Sequence, residues 1–339
     1  MAASATTIDR RGRPLRDLRI SVTDRCNFRC TYCMPREIYG TAFRFLPHEE
    51  LLTFEEVTRL ARLAVSLGVT KVRLTGGEPL LRRDVEKLVG MLAGIDGLAD
   101  LTLTTNGSLL AAKAPSLAES GLRRITVSLD SLDDAVFTRL NDVDFPVARV
   151  LEGMAAADRA GLRPVKVNMV VRRGLNEESV LPMARFAREH GYVLRYIEYM
   201  DVGHTNGWSL AEVVPAAEIV AAIDADLPLE PLAPQYPGEV ATRWRYRDGG
   251  GEIGVIGSVT QPFCGTCTRA RLTAEGELYT CLFGTDGVDL RAPLRAGAGD
   301  EELRRLLAGV WAARADRYSE LRSAATHDLP KVEMSRIGG

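Results

Sequence analysis

Six stretches between residues 17 and 200 read as β-strands, and a helical pattern separates each from the next. They cover residues 17–24, 69–77, 101–107, 124–130, 165–171 and 193–200. Strands joined through helices pair in parallel, because a parallel crossover needs a connection of a dozen or more residues. The first connecting helix carries its own punctuation. Thr53 and Glu56 form a capping box, Val57, Leu60, Ala61 and Ala64 make one face, and Gly68 supplies the stop. The helical pattern recurs at 176–191. Six such units in roughly 190 residues predict an α/β fold, an incomplete (βα)6 TIM-like barrel, rather than a full eight-unit barrel.

Successive side chains on a strand point to opposite faces, so each stretch divides into two sets. One set is apolar: Leu18, Ile20, Val22; Val72, Leu74; Leu101, Leu103; Ile125, Val127, Leu129; Val165, Val167, Met169. The other is polar: Arg19, Ser21, Thr23; Lys71, Arg73, Thr75; Thr102, Thr104, Asn106; Thr126, Ser128, Asp130; Lys166, Asn168. If the apolar face meets the helices, the polar face lines the lumen, where two arginines and two lysines invite a polyanion. A solvated sheet face is the alternative. Arg195 shares its parity with Val193 and Ile197, so its direction is left unassigned.

The loops after these strands carry candidate chemistry, and in βα barrels such loops converge on one mouth. Cys26, Cys30 and Cys33 follow the first strand, Gly76-Gly77-Glu78-Pro79 the second, Asn106-Gly107 the third and Met200-Asp201 the sixth. The glycine pair allows close backbone approach to a ligand. Past residue 201 the alternation stops. A helical segment within 204–226, a proline-rich cover at 227–238, strands in 240–259, a hairpin about Glu275-Gly276 and a helix at 301–315 follow. The expected division is 1–200 for the barrel and 201–339 for a smaller C-terminal α+β domain over its mouth.

All six cysteines fall in two sets, C-x3-C-x2-C (Cys26, Cys30, Cys33) and C-x2-C-x13-C (Cys264, Cys267, Cys281). Each set offers three thiolates, one short of a closed tetrahedral site or an ordinary cubane, so one metal position stays open. Three disulfides need an oxidising compartment, and no apolar leader precedes residue 16. Zinc at the second set requires a fourth ligand such as Asp286, His204 or His327. A net charge of −2 and a pI near 6.2 provide no global field for nucleic acid or anionic membrane. No run approaches the ~18 apolar residues of a span, which reads as a cytoplasmic chain.

C-x3-C-x2-C with Tyr32 before its last cysteine, followed by Gly-Gly-Glu-Pro after the second strand, resembles the radical S-adenosylmethionine superfamily. The resemblance implies a barrel of the radical SAM type. It also implies a [4Fe-4S] cluster on Cys26, Cys30 and Cys33 whose open iron takes S-adenosylmethionine. Both cysteine spacings, Arg269-Ala270-Arg271 and the terminal Gly338-Gly339 resemble, over nearly the whole chain, the superfamily's GTP-cyclising branch of molybdenum cofactor biosynthesis. That resemblance implies a second [4Fe-4S] cluster on Cys264, Cys267 and Cys281, open to the substrate. Tyr32, Gly77, Ser128 and Met200 are then expected to contact S-adenosylmethionine. Arg19, Arg73, Thr104, Lys166, Arg269, Ala270 and Arg271 are expected to bind GTP, with Arg269, Arg271, Gly338 and Gly339 catalytic. A homodimer, an unidentified electron donor and the next pathway enzyme as product acceptor come with it. Two other classes stay open: a peptide-modifying radical enzyme with an auxiliary cluster, and a non-enzymatic iron-sulfur or zinc protein.

Overall fold

A computed structural model describes residues 6–322 and 331–338. Six parallel strands follow one another in chain order: β1 (Asp17–Ser21), β2 (Lys71–Thr75), β3 (Asp100–Thr105), β4 (Arg124–Ser128), β5 (Lys166–Val171) and β6 (Val193–Glu198). Between them run α1 (Phe54–Ser66), α2 (Val85–Ala93), α3 (Leu110–Glu119), α4 (Asp134–Asn141), α5 (Val147–Arg159) and α6 (Val180–Glu189). The Thr53 hydroxyl accepts from the Glu56 amide at 3.2 Å, and the Glu56 carboxylate accepts from the Thr53 amide at 2.8 Å, so the capping box starts α1.

The C-terminal half extends the same sheet at both ends. After α7 (Ala216–Asp224) come β7 (Leu229–Leu232), β8 (Thr242–Tyr246) and β9 (Glu252–Ile256), and β9 lies parallel to β6. Then β10 (Arg269–Leu272) pairs parallel to β1, with β11 (Glu277–Tyr279) and β12 (Val288–Asp289) beyond it. Helices α8 (Arg291–Arg295), α9 (Asp300–Ala313), α10 (Tyr318–Leu321) and α11 (Met334–Ile337) complete the described chain. Among the described residues no helix is long and apolar enough to cross a membrane.

The expected apolar set, Leu18 through Met169, is buried in one continuous core against the helices. The polar set therefore faces the inside of the curved sheet. Two long side chains prove the curvature: Arg73 on β2 donates to Thr104 on β3 (2.8 Å) and Thr126 on β4 (3.1 Å). Arg195 on β6 reaches the same Thr126 hydroxyl at 3.3 Å, which assigns it to the lumen. Its strand was ambiguous because the outward positions Tyr196 and Glu198 are themselves polar. Tyr196 is buried and donates to the Val180 carbonyl (2.7 Å), while Glu198 accepts the amides of Ala216, Val259 and Thr260.

Candidate functional site

The first cysteine loop hangs from the C-terminal end of β1 and is held by its neighbours' backbones. Arg29 and Thr31 amides bond to the Asn141 and Leu140 carbonyls, while Gly77 and Glu78 amides bond to the Thr23 and Arg25 carbonyls. A Cβ on Gly77 would stand 2.3 Å from the Arg25 carbonyl oxygen. Close approach to the chain's own cysteine loop is thus enough by itself to require glycine here.

Glu78, fully buried, accepts from the Thr105 hydroxyl (2.7 Å) and the Asn106 amide (2.7 Å); Asn106 Nδ2 then reaches Cys26 Sγ at 3.8 Å. Burial pushes the Glu78 carboxyl up to about 7. Tyr32 donates its hydroxyl to Asp130 Oδ2 at 2.6 Å, and Asp130 also accepts the Val170 amide, which fixes the loop against β4 and β5. Ser128 is half-buried opposite Asn168, and Met200 is half-buried with its carbonyl accepting from Asn206.

The three thiols fit a polynuclear iron group. Burial raises all three: Cys26 to about 11, with Glu78 adding to it, and Cys30 and Cys33 further, with the other thiols adding to them. Thiols that so oppose one another's ionisation need cationic metal to become thiolates. Among the described residues no group of three Cys, His, Asp or Glu side chains is placed to hold one metal ion.

The second set lies at the other end of the lumen. Cys264 and Cys267 precede β10, which is parallel to β1, whereas Cys26 to Cys33 follow β1. The five-residue β1 separates the two levels by about 13 Å at ~3.3 Å per residue. In the antiparallel β10–β11 register, with Arg271 opposite Tyr279, Cys281 returns to the level of Arg269 as the hairpin predicts. Cys267 Sγ accepts from Arg269 Nη2 (3.1 Å) and Arg314 Nη2 (3.2 Å). Burial raises the Cys267 thiol, but those two guanidinium groups outweigh it and bring it down to about 7.

Behind Cys267 the N-terminal segment closes the structure. Asp9 Oδ2 accepts from Arg13 Nε at 2.6 Å and Arg314 Nη1 at 3.4 Å, and all three side chains are at most 2% exposed. Removing one partner of such a buried set costs about 3–5 kcal/mol. Burial raises the Asp9 carboxyl, yet amides of Arg13 and Arg11 and the Arg13 guanidinium hold it below the usual value. Its contribution is therefore complete above about pH 4 and lost as pH falls through the lower folded value. Asp9→Asn should melt well below the parent chain at pH 7, with the gap closing near pH 3; equal melting temperatures at pH 7 would contradict the assignment.

Between the two sets lies the basic lumen. Arg19, Arg73 and Arg195 each keep a buried Nε without a hydrogen-bond partner. Burial, then mutual repulsion, lowers Arg19 to about 9, Arg73 to about 10, Lys71 to about 8 and Lys166 to about 7, against Asp17 acting the other way on Arg19, Lys71 and Arg73. At the N-terminal end of the strands a cavity of about 290 Å³ is lined by Lys71, Arg124, Lys166 and Arg195 and covered by Tyr236 and Glu239. Arg195 and Arg124 extend the expected cation set.

Arg271, 4% exposed, donates to the carbonyls of Ile337 (3.3 Å) and Gly338. The C-terminal segment thus enters the lumen, held outside it by Glu333 against His204 and Thr205 and by Arg336 against Glu275. Gly339 lies outside the described residues. The Ala270 methyl packs in the core, away from the lumen.

A family model described as the Radical SAM superfamily matches residues 20–187, and one described as Molybdenum Cofactor Synthesis C matches 192–320. The chain is 57% identical over 339 residues to GTP 3',8-cyclase of Acidothermus cellulolyticus, covering 98% of this chain and 94% of that protein. It is 47% identical to GTP 3',8-cyclase of Staphylococcus aureus (strain JH9), covering 98% of each. The crystal structure of Streptococcus suis SuiB bound to S-adenosylmethionine superposes with a TM-score of 0.63 at 16% identity, covering 93% of this chain and 72% of that one, a likeness of fold alone. The chain belongs to the GTP 3',8-cyclase family of the radical SAM superfamily.

Proposed function

We propose that the chain is a GTP 3',8-cyclase of molybdenum cofactor biosynthesis, producing (8S)-3',8-cyclo-7,8-dihydroguanosine 5'-triphosphate. The observation that carries this reading is the set of buried, unsatisfied cations between two cysteine sets, a site suited to a triphosphate. A [4Fe-4S] cluster on Cys26, Cys30 and Cys33, once loaded and reduced, supplies with S-adenosylmethionine the 5'-deoxyadenosyl radical that takes the 3' hydrogen atom of GTP. The C3' radical bonds to C8, and one electron and one proton then complete the dihydroguanosine ring.

The residues divide the work. Tyr32, Gly77, Ser128 and Met200 hold S-adenosylmethionine at the β1 end, with Asp130 fixing Tyr32. Arg19, Arg73, Thr104, Lys166 and Arg195 bind the triphosphate and ribose, and the guanine meets the Arg269–Arg271 strand beside a second cluster on Cys264, Cys267 and Cys281. Arg269 and Arg271, with Gly338 and Gly339, orient the base for ring closure. The division near residue 200 separates the barrel, which generates the radical and holds the triphosphate, from the C-terminal part, which meets the guanine. A homodimer, a one-electron donor and a following enzyme that consumes the product belong to the same reading.

Arg73→Ala removes charge-assisted contacts of about 1.5–3 kcal/mol each. GTP affinity measured by calorimetry should fall about 10- to 100-fold with iron content unchanged, and unaltered affinity would overturn the lumen assignment. Burial pushes Lys166 down to about 7, and the triphosphate favours its charged form. Binding should therefore take up a proton, and GTP affinity should weaken as pH rises above 7. A flat profile between pH 6.5 and 8.5, on the order of two units spanning that value, would remove Lys166 from the binding set.

A further inference from the structure

We infer that Arg314 is a positioning residue that raises the reduction potential of the group held by Cys264, Cys267 and Cys281, acting through the Cys267 sulfur. The inference rests on the proposed second cluster.

Arg314 follows α9 directly, and its guanidinium is the most completely used cation near either cysteine set. Nη2 donates to Cys267 Sγ at 3.2 Å and Nη1 to the Cys267 carbonyl at 2.7 Å. The same group bonds Asp316 through Nε (3.3 Å) and Asp9 through Nη1 (3.4 Å), and lies 4.5 Å over the Trp311 ring. Only 1% of its side chain is exposed. Five partners fix one orientation, with the fork aimed at the thiolate. Arg269 aims a second guanidinium at the same sulfur, 3.1 Å away, braced over the Phe263 ring.

The first set has weaker donors at its sulfur, where the guanidinium beside Cys26, that of Arg29, reaches its carbonyl at 2.8 Å. Cys26 Sγ takes neutral donors, the Phe28 amide at 3.4 Å and the Asn106 amide at 3.8 Å. Buried carboxylates stand behind that loop, Glu78 on the Asn106 amide and Asp130 on the Tyr32 hydroxyl. One-electron reduction adds a negative charge to a cluster. Donors and cations at a ligand sulfur favour that state, and nearby carboxylates oppose it. The second group is therefore the more easily reduced of the two, and Arg314 is one of two reasons.

The test is an EPR-monitored redox titration of anaerobically reconstituted holoenzyme, with the first cluster's signal assigned by its response to S-adenosylmethionine. In Arg314→Gln the other signal should shift to lower potential, so that at the parent midpoint the ratio of reduced to oxidised form falls about tenfold, or 59 mV for one electron. The S-adenosylmethionine-responsive signal should not move. Arg314→Lys, which keeps the cation but loses the fork, should shift in the same direction by less. A parent midpoint in both variants overturns the inference. So does loss of the second cluster from both, since a residue that only tunes a group leaves it bound. If the parent protein itself holds about four irons rather than about eight, the second-cluster reading has failed instead.

Discussion

Cys30→Ala is expected to yield protein with about four fewer irons per chain and no detectable reductive cleavage of S-adenosylmethionine. Cys30 is the middle thiol of the first set, and its carbonyl accepts the amides of Cys33 and Met34, so the loop turns on it. Its thiol is the one coupled to both Cys26 and Cys33. With two thiolates a cubane has no stable seat, whereas the surrounding loop keeps its anchors at Asn141 and Leu140. Iron and sulfide analysis, together with chromatography for 5'-deoxyadenosine, gives the result. Full iron content, or cleavage at the parent rate, would refute the assignment of this set.

Gly338→Ala should reduce cyclisation by about 100-fold or more, the loss that misplacement of about 1 Å produces, while leaving iron content and GTP-independent cleavage of S-adenosylmethionine intact. Gly338 has a φ of 72°, where an L side chain is strained, and a Cβ there would stand 2.0 Å from Thr75 Oγ1. Thr75 sits on β2 in the sheet interior, so the tail must withdraw, and the Ile337 and Gly338 carbonyls leave Arg271. The buried Arg271 then faces the lumen without its carbonyl partners. Quantifying the cyclic nucleotide against 5'-deoxyadenosine separates this from damage to the first cluster. Normal cyclisation would return the C-terminal segment to a merely structural role.

The period-two division of five strands was legible because apolar and polar residues alternate there, Thr105 and Val170 excepted, from Leu18 and Arg19 on β1 to Val167 and Lys166 on β5. The capping box at Thr53 was legible for a similar reason, being a contact between residues three apart. The sixth strand was not, because Glu198 is a carboxylate buried on the outer face and satisfied by amides more than 15 residues away. A strand pattern cannot announce partners at that separation.

Sheet membership of the C-terminal strands was hidden likewise. β10 adds to β1 and β9 to β6 through pairings between residues 252 and 59 positions apart, such as Asp17 with Arg269 and Leu194 with Ile253, and nothing local encodes them. β7 falls in the proline-rich segment expected to be a cover; Pro231 is tolerated because β7 is an edge strand. The six cysteines marked both candidate sites by spacing alone. Glu78 and Asn106 stood in loops already marked as candidates, but their contact with each other and with Cys26, like the support of Asp9, Arg13 and Arg314 for the second set, becomes visible only when distant segments meet.

The central claim is that a radical made beside Cys26, Cys30 and Cys33 is spent on a nucleotide held by the basic lumen. The most direct test is anaerobic incubation of reconstituted protein with reductant, S-adenosylmethionine and GTP, followed by mass spectrometry and NMR of the nucleotide. The expected result is (8S)-3',8-cyclo-7,8-dihydroguanosine 5'-triphosphate, formed in step with 5'-deoxyadenosine and absent when GTP is omitted. Recovery of unchanged GTP, with 5'-deoxyadenosine formed only when a peptide replaces it, would contradict the account.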